Sequence, residues 1–64
     1  GLDYYHRLAQ TAPRYLVQGG WLVVEIGSDQ GPDVKAIFEE NRFSQVKIVK
    51  DYAGRNRVVF GVKS

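Results

Sequence analysis

The sequence predicts a small α/β layer in the order helix, strand, helix, strand, strand, and three observations predict it. Apolar residues recur at steps of three and four between Leu2 and Leu16; an unbroken apolar run begins at Trp21; and the period becomes two on either side of a short glycine-containing connection near the end of the chain. With 64 residues the chain has room for one hydrophobic core and not for two. Its 44% hydrophobic and 25% charged content is that of a folding domain and not of a disordered tail.

The first element comes from Leu2, Tyr5, Leu8, Ala9, Ala12, Tyr15 and Leu16, which share one stripe of a helix. Pro13 has no amide hydrogen for the carbonyl of Ala9 and its ring crowds that turn, so a kink or break is expected there. Gly19 and Gly20 then close the helix, since glycine enters the left-handed region without a Cβ clash. Trp21 to Ile26 follows as a strand. Its lack of polar alternation, Glu25 excepted, suits a strand covered on both faces, as in a parallel sheet. Ser28 or Asp29 is the expected cap of the second helix, with Pro32 in its first turn and Val34, Ile37 and Phe38 on its buried stripe.

From Gln45 to Lys50 the apolar Val46 and Ile48 oppose Gln45, Lys47 and Val49, and from Arg57 to Val62 the residues Val58, Phe60 and Val62 share one side. The connection Asp51 to Asn56, which contains Gly54, is too short for a parallel crossover, so these two strands are expected to form an antiparallel hairpin. A helix between the first two strands favours a right-handed crossover, and the whole is expected to be a mixed three-stranded sheet with helical cover.

The composition excludes several kinds of chemistry. Without cysteine there is no disulfide, thiolate metal site or thiol nucleophile, and the single histidine, His6, has no carboxylate or serine partner nearby in sequence and reads as a surface residue. The longest uninterrupted apolar run, Trp21 to Val24, is far short of the roughly 20 residues that span a bilayer. The N-terminus lacks the order of a signal peptide, and the expectation is a cytoplasmic protein without a membrane. Charge is unevenly placed. Residues 1–41 hold three bases and six acids, whereas residues 42–64 hold six bases against Asp51 alone, an asymmetry that could attract an anion or simply let the halves complement each other.

Two strings carry a resemblance. The run APRYL..GGWLVVEIG..QG, followed by F..V.I.KDYAGR.RVV.G, resembles the C-terminal end of the HemK-type release-factor glutamine methyltransferases, over essentially all 64 residues. The resemblance implies that residues 1–64 are a single C-terminal subdomain of a Rossmann-like, class I methyltransferase fold closed by an antiparallel hairpin. It implies a parent enzyme that moves a methyl group from S-adenosylmethionine to the side-chain amide of a glutamine in a peptide release factor. The family's glycine-rich cofactor loop and its Asn-Pro-Pro-Tyr motif are both absent from the 64 residues and are expected upstream. Gly19-Gly20 is no replacement for that loop, because it precedes a strand and a phosphate cradle follows one. The segment is therefore expected to be scaffold, inactive alone and binding no cofactor. The family commonly has glycine where this chain has Arg42, so either Asn41 takes the left-handed turn or the helix end is rearranged.

Glu25 and Gln30 are the candidate pocket-rim residues, Glu25 because it lies near the carboxyl end of its strand, where open α/β sheets place ligands. The alternative for Glu25 is a bond to loop amides or a pair with Arg55 or Arg57. Gly19, Gly20, Asp51, Gly54 and Arg55 read as turn residues, with Asp51 bracing the hairpin loop through backbone amides or an arginine. Tyr4, Tyr5 and Tyr15 read as helix packing. Two rival readings belong to other classes. The basic hairpin with Tyr52 could hold nucleic acid, although alternating polar residues on a half-exposed hairpin account for the same pattern. The strand Trp21 to Ile26 could also mediate self-association, since its neighbouring strand is expected in the upstream remainder of the domain.

Overall fold

The computed structural model describes all 64 residues. Helix α1 spans Asp3–Thr11 and passes into a 3-10 turn at Ala12–Arg14; strand β1 is Trp21–Glu25, helix α2 is Gly31–Glu40, and strands β2 and β3 are Phe43–Lys50 and Asn56–Lys63. The order is the one the sequence predicts. Pro13 explains the end of α1: the α-helical ladder stops before it, and Tyr15 and Leu16 both donate to the carbonyl of Ala12 instead. The exposed carbonyls of this last turn are met from across the molecule, where the Lys63 ammonium donates to Pro13 O and Leu16 O.

The sheet order is β1-β3-β2, and both ladders are antiparallel. This corrects the expected mixed sheet. β1 and β2 do run in the same direction, joined over α2, but β3 turns back from β2 and inserts between them, so no parallel ladder forms. An apolar run such as Trp21 to Ile26 says that a strand is present and not which neighbour it takes. The second correction concerns cover. Helices lie on one face only, so Val24 is buried while Trp21 and Val23 on the other face are exposed.

The core forms between the helices and that face. It takes Ala9 from α1, Val34, Ile37 and Phe38 from α2, Val24 from β1 with Ile26 just beyond it, Phe43 and Val46 from β2, and Val59 from β3. In β3 the core-facing set is thus Val59 and Gly61, while Val58, Phe60 and Val62, which the period of two groups together, share the opposite face.

Two left-handed residues set the path of the chain around this core. Arg42, at φ 68°, takes the turn after α2, and Asn41 stays at negative φ while its side-chain amide donates to Ile37 O at 2.8 Å. The amide of Arg42 donates to Glu39 O at 3.1 Å, and Phe43 packs on Phe38 with ring centroids 5.3 Å apart. That hydrogen bond and apolar contact belong to the glycine-type helix stop, executed here by an arginine. Gln45, at φ 53°, marks a bulge: the β2–β3 register shifts between Ser44 and Lys47, leaving Gly61 opposite the extra residue. A Cβ on Gly61 would lie 3.1 Å from both Phe38 Cδ2 and Phe43 Cβ, so the missing side chain is what lets the bulged strand close on α2.

Candidate functional site

Two places gather the polar residues singled out by the sequence. The first is the carboxyl end of β1. Gln30 turns its side chain back across the loop, where Oε1 accepts from the Gly27 amide at 2.8 Å, and the Tyr5 hydroxyl donates to the backbone carbonyl of Glu25 at 2.9 Å. Gln30 is also the residue preceding α2 at its cap position; neither Ser28 nor Asp29 caps the helix, because no side chain bonds its first amides. The Glu25 carboxylate is exposed beside Ile26, Arg57 and Val58, around an open depression. It forms no ion pair: Arg55 and Arg57 both turn to Asp51 instead. Tyr5 is the residue that local pattern missed here. Its stripe position predicts packing, and its partner lies 20 residues away, beyond the reach of any periodicity.

The second place is the β2–β3 loop. Asp51 Oδ1 accepts from the amides of Ala53 at 2.9 Å and Arg55 at 3.0 Å, and Oδ2 lies 3.4 Å from Arg55 Nε and 3.3 Å from Arg57 Nε. Gly54 supplies the left-handed residue of the turn at φ 79°. The bond from the Arg55 amide is the largest cause holding the Asp51 carboxyl below its ordinary value; desolvation, second in size, opposes it, and the Ala53 amide and the two guanidiniums add to the lowering. Gly19, at φ 85°, occupies the other turn, where its amide donates to Lys63 O at 2.9 Å and so ties the approach to β1 onto the end of β3.

The basic C-terminal portion therefore has less free charge than its sequence suggests. Arg55 and Arg57 face Asp51, and Lys63 is spent on helix carbonyls, which leaves Arg42, Lys47 and Lys50 exposed on different parts of the surface. His6 is exposed on α1, and Tyr52 is fully exposed at the tip of the loop. No group of three or more histidine, cysteine or carboxylate residues is arranged to hold a metal ion, and no helix is long and apolar enough to cross a membrane. No nucleophile stands beside a base at either place. What the two places do is fix loops: one aligns β1 with α2, the other closes the hairpin.

No family model matches the chain. Individual proteins do. It is 41% identical over 64 residues to the release factor glutamine methyltransferase of Fusobacterium nucleatum, 48% over 61 residues to that of Neisseria gonorrhoeae and 49% over 59 residues to that of Agrobacterium fabrum. All of this chain is matched in the first case, 95% in the second and 92% in the third. The fold agrees: a crystal structure of the release factor-specific protein-(glutamine-N5) methyltransferase of Alicyclobacillus acidocaldarius superposes on the whole chain with a TM-score of 0.80 at 32% identity. The chain matches a segment of the release factor glutamine methyltransferases. It spans 18 to 22% of the length of these curated relatives and 41% of the solved chain. The α/β layer is thus a part of the methyltransferase fold, and nothing in these likenesses favours a free-standing nucleic-acid-binding module.

Proposed function

We propose that this segment is the C-terminal scaffold of a methyltransferase that moves the methyl group of S-adenosylmethionine to the side-chain amide of a glutamine in a peptide release factor. The observation that carries this reading is the match of all or nearly all of the 64 residues, in sequence and in fold, to a part of enzymes of that name. The side chains fit a supporting part. The polar groups at the end of β1 and in the hairpin loop bond to backbone, Glu25 stands at the rim of an open depression without a partner, and neither place supplies a cradle of free amides for a cofactor. Methyl transfer needs the amide nitrogen held in line with the methyl carbon, which is a matter of positioning. The groups that do this belong to the remainder of the enzyme, and the role of this segment is to hold the sheet on which they are mounted.

Grafting tests the reading. These residues replace the matching segment of the Neisseria gonorrhoeae relative, and methylation of that organism's release factor is assayed. A folded chimera that retains turnover within about tenfold, equivalent to about 1.4 kcal/mol of barrier, supports the scaffold role; a folded chimera without turnover contradicts it.

A further inference from the structure

The Glu25 carboxylate and the Arg57 guanidinium border one open depression without pairing with each other, and an irregularity of the backbone is what brings them together. On β3, Asn56 pairs with Lys50 and Val58 with Val49, so Arg57 between them has no opposite residue on β2. Consecutive residues of a regular strand point to opposite faces. The extra residue breaks that alternation. Asn56 stands on the helix side, where its Nδ2 is 2.6 Å from the place a Cβ on Gly31 would take, whereas Arg57 and Val58 both border the depression beside Glu25 and Ile26. Bulges of this kind recur next to active sites, where they re-aim a side chain. Both charged groups have capacity to spare. The backbone carbonyl of Glu25 takes the Tyr5 hydroxyl, but its carboxylate has no ion pair. Arg57 reaches Asp51 through Nε at 3.3 Å, which leaves the other N–H groups of its fork over.

Place and chemistry together narrow the occupant. β1 and β2 run in the same direction, each antiparallel to β3, and the depression opens at the carboxyl end of β1, the side on which open α/β sheets bind ligands. One carboxylate beside one guanidinium does not suit a simple anion or cation, which would meet a like charge. It suits a group that presents N–H and C=O together, as a peptide backbone does at every residue. The methyl donor carries both charges on its amino-acid end, but its adenosine needs an enclosed and mostly apolar slot. Only Ile26 and Val58 are apolar here, beside an opening to solvent. We propose that Glu25 and Arg57 hold the backbone of the release factor next to the acceptor glutamine, Glu25 accepting from a peptide N–H and Arg57 donating to a peptide carbonyl. The glutamine amide and the methyl donor stay with the remainder of the enzyme. This contact goes beyond the scaffold role and rests on the methyltransferase reading above.

The test uses the grafted chimera, with S-adenosylmethionine and the Neisseria gonorrhoeae release factor varied in turn. Glu25→Gln and Arg57→Gln are each expected to raise KM for the release factor about tenfold, the loss of one hydrogen bond to a charged group. In both variants kcat and KM for S-adenosylmethionine stay within about twofold, the mark of a contact made equally before and during methyl transfer. The melting midpoint of Glu25→Gln is expected to be unchanged. A general electrostatic effect would move the two variants in opposite directions, because one removes a negative charge and the other a positive one. If Arg57→Gln loosens the hairpin by releasing Asp51, Glu25→Gln decides alone, since its side chain has no ion pair to lose. The proposal is overturned by an unmoved KM for the release factor in Glu25→Gln, by a rise in KM for the donor in its place, by opposite shifts in the two variants, or by a lowered midpoint in Glu25→Gln, which would assign the carboxylate to a contact within the enzyme. Turnover with an unmoved KM sinks the peptide contact alone; a folded, unaltered chimera without turnover sinks the functional reading and the contact with it.

Discussion

Arg42 offers the sharpest single perturbation. Its backbone sits at φ 68°, where an L-residue brings Cβ against the following carbonyl at a cost of about 1–2 kcal/mol. Glycine escapes that clash but gains freedom in the unfolded chain, which offsets about 0.5–1 kcal/mol. The Arg42 side chain is exposed and makes no hydrogen bond or ion pair, so little else is lost with it. Arg42→Gly is therefore expected to stabilise the fold by about 0.5–1 kcal/mol, raising the midpoint of thermal unfolding by about 2–8 °C in a domain of this size. Arg42→Ala keeps the Cβ and is the control, with a midpoint within about 1–2 °C of the original. Both are read by circular dichroism melts. An unchanged or lower midpoint for the glycine variant, or an equal rise for alanine, would refute the argument that backbone strain at this helix end is what the substitution relieves.

Three further outcomes follow from the core and the hairpin. Phe38 is fully buried between α2 and the sheet, so Phe38→Ala should remove about 3–5 kcal/mol, a third or more of the roughly 3–10 kcal/mol available to 64 residues, and show as a steep fall in the unfolding midpoint or loss of the cooperative transition. Gly61→Ala forces a Cβ to 3.1 Å from Phe38 and Phe43, and a loss of about 1–3 kcal/mol is expected as a lower urea midpoint at unchanged slope. Asp51 has its folded pKa lowered below 3.8, so its contribution is fully present above about pH 4 and is lost as pH falls through the lower folded value; Asp51→Asn should flatten that acid limb of stability, measured by urea midpoints from pH 2 to pH 6.

How much was legible in the sequence depends on whether the signal was local. The order of elements, the break at Pro13 and the hairpin are written in periodicity and in residues a few positions apart. The pairing of β1 with β3 is not, because an apolar strand is compatible with any neighbour and the insertion of β3 is decided by the whole sheet. The burial side of β3 was equally hidden: apolar residues stand on both of its faces, and only contact with α2 selects Val59 and Gly61 as the inner pair. The bulge at Gln45 has no sequence signal, since glutamine is an ordinary residue in a left-handed position that favours glycine. At the end of β1, the turn of Gln30 back to Gly27 joins residues three apart, whereas Tyr5 to Glu25 and Lys63 to Pro13 span 20 and 50 residues and exist only in the folded chain.

The claim on which the rest depends is that this layer holds a methyltransferase sheet together while the groups that bind the methyl donor lie elsewhere. Titration calorimetry of S-adenosylmethionine into the folded 64-residue chain tests it most directly. Heats no larger than those of dilution are expected up to millimolar donor, with amide resonances at Glu25, Gly27 and Gln30 unmoved. Saturable binding at micromolar concentration, with those resonances shifted, would contradict it.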